Sequence, residues 1–135
     1  MALAVRDGAQ ALIGIVDDHE SSREGISSLL RSAGYSTVAL ESVEAFLEGD
    51  HRHEVHCLVL DIDMPGLGAL ELKRQLAQMN VSIPIIFVTG KENLLQAVAL
   101  NEGAGAILGK PFTYEALLNA IRSSLDFPGR ASRRK

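Results

Sequence analysis

Residues 58–66 read Leu-Val-Leu-Asp-Ile-Asp-Met-Pro-Gly. An apolar run ends abruptly at Asp61, a second acid follows at Asp63, and Pro65 and Gly66 stop the segment. A short apolar run bounded by turn formers reads as a buried strand. Carboxylates at its mouth are costly to bury unless a cation or hydrogen bonds compensate them. Either the two acids surface at the strand end, or they meet something positive.

The same pattern repeats on both sides of this stretch. Leu12 to Val16 is apolar and runs into Asp17-Asp18; Ile26, Leu29, Leu30 and Ala33 then follow helical spacing, and Gly34 is placed to end that helix. Tyr35 to Leu40 is rich in strand formers, and Ser42 is an N-cap for a short helix with Val43, Phe46 and Leu47 on its inner face. Cys57 to Leu60 is the next strand, followed by a helix striped by Leu72, Leu76 and Met79. Pro84 opens a fourth strand through Val88 without polar alternation, as expected of a strand covered on both faces. Leu94 to Leu100 reads as helix, Ala106 to Leu108 as a short strand, and Leu117, Leu118, Ile121 and Leu125 stripe a last helix. Five β-α units in a row imply an α/β fold, a doubly wound parallel sheet with helices on both faces.

Composition bounds the function. A chain of 135 residues, 47% hydrophobic, suits one domain with a real core. Residues 1–11 read as an N-terminal extension, 12–127 as the domain, and 128–135 as a basic flexible tail or linker. The whole chain carries −4 and that tail holds four basic residues and no acid, so residues 1–127 carry −8. An acidic body argues against nucleic-acid binding by the folded part. The single cysteine, Cys57, cannot form an internal disulfide, and no apolar stretch is long enough to span a membrane. The N-terminus makes a poor secretory signal. The expectation is a cytoplasmic domain that does not bind membranes.

In a doubly wound sheet the functional crevice lies beyond the carboxyl ends of the strands. Strand one ends at Asp17-Asp18, strand three at Asp61, strand four at Thr89-Gly90 and strand five at Lys110-Pro111. Three carboxylates brought together repel, and one must protonate unless a cation joins them. Mg²⁺ suits such a site, because it takes a few carboxylates, keeps waters and bridges to phosphate oxygens. Lys110 adds a fixed positive charge. The acids therefore read as a metal-dependent phosphoryl site.

Four motifs in order, IVDDHE, LVLDIDMPG, IIFVTG and GKPF, each end an expected strand. On these motifs the chain resembles the receiver domain of bacterial two-component response regulators, the CheY family, from about Leu12 to Leu125. The TG after strand four and the SVEAFL helix lean towards the FixJ-like branch. The resemblance implies a five-stranded sheet in the order 2-1-3-4-5 flanked by five helices. It implies that Asp61 is the phosphoacceptor, attacking a phosphohistidine to give an acyl phosphate. Asp18 and Asp61 would bind Mg²⁺ (or Mn²⁺) directly, Asp17 through water, and the backbone carbonyl of Asp63 would complete the protein ligands. Lys110 and Thr89 would each hold a phosphoryl oxygen. The Asp63 side chain and Lys91 would tune the lifetime of the phosphoryl group, and the Lys110–Pro111 bond would be cis. Implied partners are a sensor histidine kinase or phosphotransfer protein, then an output domain or separate target. They also include a second copy meeting the face of the fourth helix, fifth strand and last helix. The chain would catalyse only its own phosphorylation and dephosphorylation.

Two positions depart from the family pattern. Ile107 stands where receivers usually carry a switch aromatic, and Ala69 where a glycine is usual, with Gly68 just before it. Ile107 is stiff about χ1 and has no ring to swing. The expected route for the signal is instead movement of the loop at Thr89, Gly90 and Lys91 and repacking of the fourth helix.

Plainer readings stand beside these roles. Asp63 can simply shape the turn before Met64-Pro65, and Asp17 and Asp18 can cap the first helix. His51, His53 and His56 lack the partners of a tetrahedral metal site and read as an exposed polar loop. Cys57 reads as a small core residue. A haloacid dehalogenase-like phosphatase shares an Asp-x-Asp motif, but places it on the first strand. Gly109-Lys110 mimics a phosphate-binding loop, but Pro111 holds its Ser/Thr position. A receiver that no longer accepts phosphate would not be expected to keep these acids and this lysine.

Overall fold

The computed structural model describes residues 11–64, 68–90 and 106–126. In chain order these form β1 (Leu12–Val16), α1 (Glu20–Ser32), β2 (Ser36–Leu40), α2 (Val43–Glu48), a 3₁₀ turn (His51–His53), β3 (Cys57–Asp61), α3 (Ala69–Gln78), β4 (Ile85–Thr89), β5 (Ala106–Gly109) and α4 (Tyr114–Leu125). All strand pairings are parallel and the order is β2-β1-β3-β4-β5, as the resemblance implied. Four of the five expected helices fall among the described residues. The expected helix at Leu94 to Leu100, Lys91, the Pro65-Gly66 turn, the Pro128 to Lys135 tail and all but the last residue of the N-terminal extension lie outside them.

β3 and β4 are buried at every position, which explains why neither alternates in sequence. Their side chains divide by the strand's period of two. Leu58, Leu60, Ile85 and Phe87 join Val43, Phe46, Leu72 and Leu76 in a layer under α2 and α3. Cys57, Val59, Ile86 and Val88 join Ile13, Ile15, Leu30, Leu117 and Ile121 under α1 and α4. Asp61 follows Cys57 and Val59 onto the α1/α4 face, whereas Thr89 follows Phe87 onto the opposite one. Ile107 pairs with Phe87 across β4 and β5 and packs on that same layer.

The helix ends carry the expected chemistry. The Ser42 and Thr113 side chains accept hydrogen bonds from the amides of Ala45 and Ala116, each at 3.0 Å, capping α2 and α4. Gly34, at φ 102°, follows the end of α1, and Asn80, at φ 59°, follows α3; both suit a left-handed C-terminal stop. The cap of α1 is different from expectation: the N-cap position falls on His19, with no side-chain cap bond. The histidine segment also differs from a plain exposed loop. His51 and Arg52 are half-buried, Arg52 donates to the carbonyls of Leu47 and Gly49, and His56 Nδ1 accepts from the Leu12 amide.

Candidate functional site

The sheet ladder runs one bond past the strand ends and fixes the residues that follow them. Asp17 donates its amide to the Leu40 carbonyl at 3.1 Å, Ile62 to Val88 at 3.0 Å, and Lys110 to Thr89 at 2.9 Å. The side chains of Asp17, Asp61, Thr89 and Lys110 are therefore delivered to one edge by rigid backbone. Asp61 is 3% exposed, Asp17 5% and Thr89 0%. These are buried polar groups, and each has partners.

Asp17 is held from α1. Its Oδ1 accepts the His19 amide at 2.9 Å, its Oδ2 accepts the Ser22 hydroxyl at 2.7 Å, and its carbonyl accepts Arg23 Nη1 at 2.9 Å. Asp17 thus ties the start of α1 to β1 without being the N-cap. Asp18 is exposed beside it, and His19 Nδ1 lies 3.1 Å from Asp18 Oδ1. Ligand atoms of Asp17, Asp18, His19 and Asp61 all lie within 4.8 Å of one another. Three carboxylates so close form a hard oxygen donor set that a single small divalent cation can span. The donor chemistry fits Mg²⁺ or Mn²⁺. His19 is the member that sequence reasoning missed, although it directly follows the acid pair.

The other side of Asp61 is cationic. Lys110 Nζ donates to Asp61 Oδ1 at 3.1 Å and Oδ2 at 3.2 Å, and it also lies 3.1 Å from Asp63 Oδ2. The Asp63 amide donates to Asp61 Oδ1 at 2.9 Å. Burial nevertheless pushes the Asp61 carboxyl above its ordinary value; the Asp63 amide and Lys110 oppose this, and Asp17 adds to it. One amine does not offset the desolvation of this carboxylate. For Lys110, burial acts to lower the ammonium, but its bonds to Asp63 and Asp61 outweigh that and raise it.

The Asp63 carboxylate reaches further than a turn former needs to. Oδ2 accepts the Gly90 amide at 2.9 Å, and Oδ1 lies 3.3 Å from Thr89 Oγ1, whose hydroxyl also faces the Gly90 carbonyl at 2.9 Å. Asp63 therefore joins the end of β3 to the end of β4 and to Lys110. The Lys110–Pro111 peptide bond is cis, as expected. A cleft of about 370 Å³ opens beside Asp61, between Gly25, Ile26 and Leu29 of α1 and Tyr114 and Leu117 of α4.

The comparisons with known proteins agree with this geometry. The family model described as the response regulator receiver domain matches residues 13–122. The response regulator protein TodT of Pseudomonas putida is 40% identical over 116 residues, 85% of this chain and 51% of that protein. The transcriptional regulatory protein FixJ of Azorhizobium caulinodans is 34% identical over 114 residues, 84% of this chain and 54% of its own length. The solved structure of the response regulator StyR superposes with a TM-score of 0.79 at 36% identity, over 93% of this chain and 64% of that one. The chain thus spans about half the length of these two sequence relatives. No helix among the described residues is long and apolar enough to cross a membrane. With its sheet order, its edge of acids, hydroxyl and amine, and this match over most of its length, the chain belongs to the response regulator receiver domain family.

Proposed function

We propose that Asp61 accepts a phosphoryl group from the phosphohistidine of a sensor histidine kinase or phosphotransfer protein. The observation that carries this reading is the Asp61 carboxylate itself, buried between three other metal-competent groups and one ammonium. Asp61 Oδ2, which accepts a bond from Lys110, attacks phosphorus; the P–N bond breaks and its electron pair returns to the imidazole. The product is an acyl phosphate. Lys110 neutralises one phosphoryl oxygen and Thr89 donates its hydroxyl to another. Asp18 and Asp61 would hold Mg²⁺ or Mn²⁺ directly, with Asp17 acting through water and the Asp63 carbonyl completing the set. When bound, the ion supplies the positive charge that lets an anionic donor approach a carboxylate. Most of the help in phosphoryl transfer is such positioning and charge neutralisation.

The chain then acts only on itself, passing from phosphorylated to hydrolysed form, and its signal reaches an output domain or separate target. Residues 12–127 form the receiver and 128–135 a linker. TodT and FixJ are about twice as long as the segment they share with this chain, and FixJ is a transcriptional regulatory protein. A cytoplasmic location accords with the buried free thiol of Cys57. A second copy meeting the face of the expected Leu94 to Leu100 helix, β5 and α4 is the proposed response. Phosphorylation is tested with acetyl phosphate on the parent and on Asp61→Asn, each with Mg²⁺ or EDTA. Labelling confined to the parent with Mg²⁺ supports the reading, and labelling of the Asn variant contradicts it.

A further inference from the structure

We propose that the Asp63 carboxylate is a built-in competitor of the phosphoryl group, a latch on the donors that group requires. The inference rests on Asp61 as phosphoacceptor. Three donors converge on Asp63 from outside its own turn: Lys110 Nζ at 3.1 Å, the Gly90 amide at 2.9 Å and Thr89 Oγ1 at 3.3 Å. Lys110 and Thr89 are the groups that hold phosphoryl oxygens in the proposed reaction, and the Gly90 amide is next to Thr89 on the same loop.

These donors cannot all serve two anions. An amide has one proton and a hydroxyl one, whereas the ammonium has three. Once the Gly90 amide points at Asp63 it is not available to a phosphoryl oxygen, and the Thr89 proton is already divided between Asp63 and the Gly90 carbonyl. A phosphoryl group on Asp61 carries about two negative charges where the free carboxylate carried one, close to the Asp63 carboxylate that shares Lys110 with it. The Asp63 carboxylate must then swing away, and the loop at Thr89 and Gly90 is released with it. Asp63 is a positioning residue in this scheme. It holds the resting arrangement, and its departure frees the end of β4 to move.

A closed latch lowers the apparent affinity for a phosphoryl mimic by the fraction of time it is open. If it is closed nine times in ten, removing it tightens binding about tenfold. The experiment measures beryllofluoride affinity, with Mg²⁺ present, for the parent, Asp63→Asn and Asp63→Ala. It also follows the Gly90 amide resonance in ¹⁵N-labelled, metal-free protein. The expected result is binding about tenfold tighter for Asp63→Ala and an intermediate gain for Asp63→Asn. The Gly90 resonance should already be displaced in metal-free Asp63→Ala, and in the parent it should shift only when the mimic binds. The gain should persist at about 1 M salt, where the screening length is near 3 Å, because a short bonded latch is not a long-range field. Equal or weaker binding by both variants overturns the latch. So does a gain that vanishes with salt while the Gly90 resonance stays put, since the carboxylate would then only repel. A parent that does not bind the mimic at all overturns the phosphoacceptor reading, and the latch with it.

Discussion

Asp61 sits 3% exposed beside Asp17, and its titration reports what the fold demands of it. Burial first, with Asp17 assisting, raises its carboxyl above the ordinary value despite the Asp63 amide and Lys110. A raised folded value means that the native state holds the proton more tightly than the unfolded chain. The stabilisation is complete below the unfolded value and is lost as pH rises through the folded one. In EDTA at neutral pH, Asp61→Asn should therefore melt at a higher temperature than the parent. The advantage should shrink as pH falls through the raised folded value and be gone by about 4. Melting curves of both proteins across that range check this, and a parent that is the more stable at neutral pH contradicts it. The residues of this edge were legible in sequence where each follows its own apolar strand: Asp17, Asp18, Asp61, Thr89 and Lys110. The bonds made by Asp63 were not, because Thr89 and Gly90 lie 26 and 27 residues away. Local pattern shows only that a short acid precedes a turn, and the partners it meets depend on how two strand ends are set side by side.

β3 and β4 could be placed from their unbroken apolar runs because burial on both faces leaves no polar alternation to mistake for something else. α1 was legible from its apolar spacing and Gly34, yet its start was not, since Asp17 holds the helix from outside the cap position. Gly25 inside α1 is a weak point in that helix: a Cβ there meets nothing within 4 Å. Gly25→Ala should stabilise the domain by about 0.5–1 kcal/mol, read from denaturant midpoints at an unchanged slope. A destabilised variant would show that the α1/α4 cleft cannot accept a methyl group. Ile107 is the other notable element position. It pairs with Phe87 on the face that Thr89 also occupies, so a Thr89 side chain drawn towards Asp61 vacates space next to it. A branched side chain stiff about χ1 cannot swing into that space as a ring would. On the proposed function, the two-state element would then be the loop that begins at Thr89 and Gly90. Amide exchange with and without beryllofluoride should change across residues 89–110. Changes confined to the surroundings of Asp61 would contradict this, as would a Thr89→Ala protein that responds as fully as the parent.

The domain as a whole is a rigid parallel sheet whose two apolar layers hold one polar edge, and the acids of that edge are its least compatible neighbours. A cation that binds only the folded edge must stabilise the fold by mass action. Mg²⁺ at ten times its dissociation constant should add about 1.4 kcal/mol, seen as a rise in melting temperature of a few degrees. Asp18→Asn should lose most of that rise while keeping the bonds of Asp17. A Mg²⁺ effect undiminished in this variant would place the ion elsewhere. The alternation of strands and helices made the fold class legible, but the sheet order came only with the family resemblance, because parallel neighbours are set by crossovers that local sequence does not specify. The proposed phosphorylation requires phosphate to reach Asp61 at an edge that a cation has made ready. Intact-mass spectrometry after incubation with acetyl phosphate tests it most directly. The parent should gain one phosphoryl mass with Mg²⁺ and none with EDTA, and Asp61→Asn should gain none in either; an Asn variant that still gains it would contradict the account.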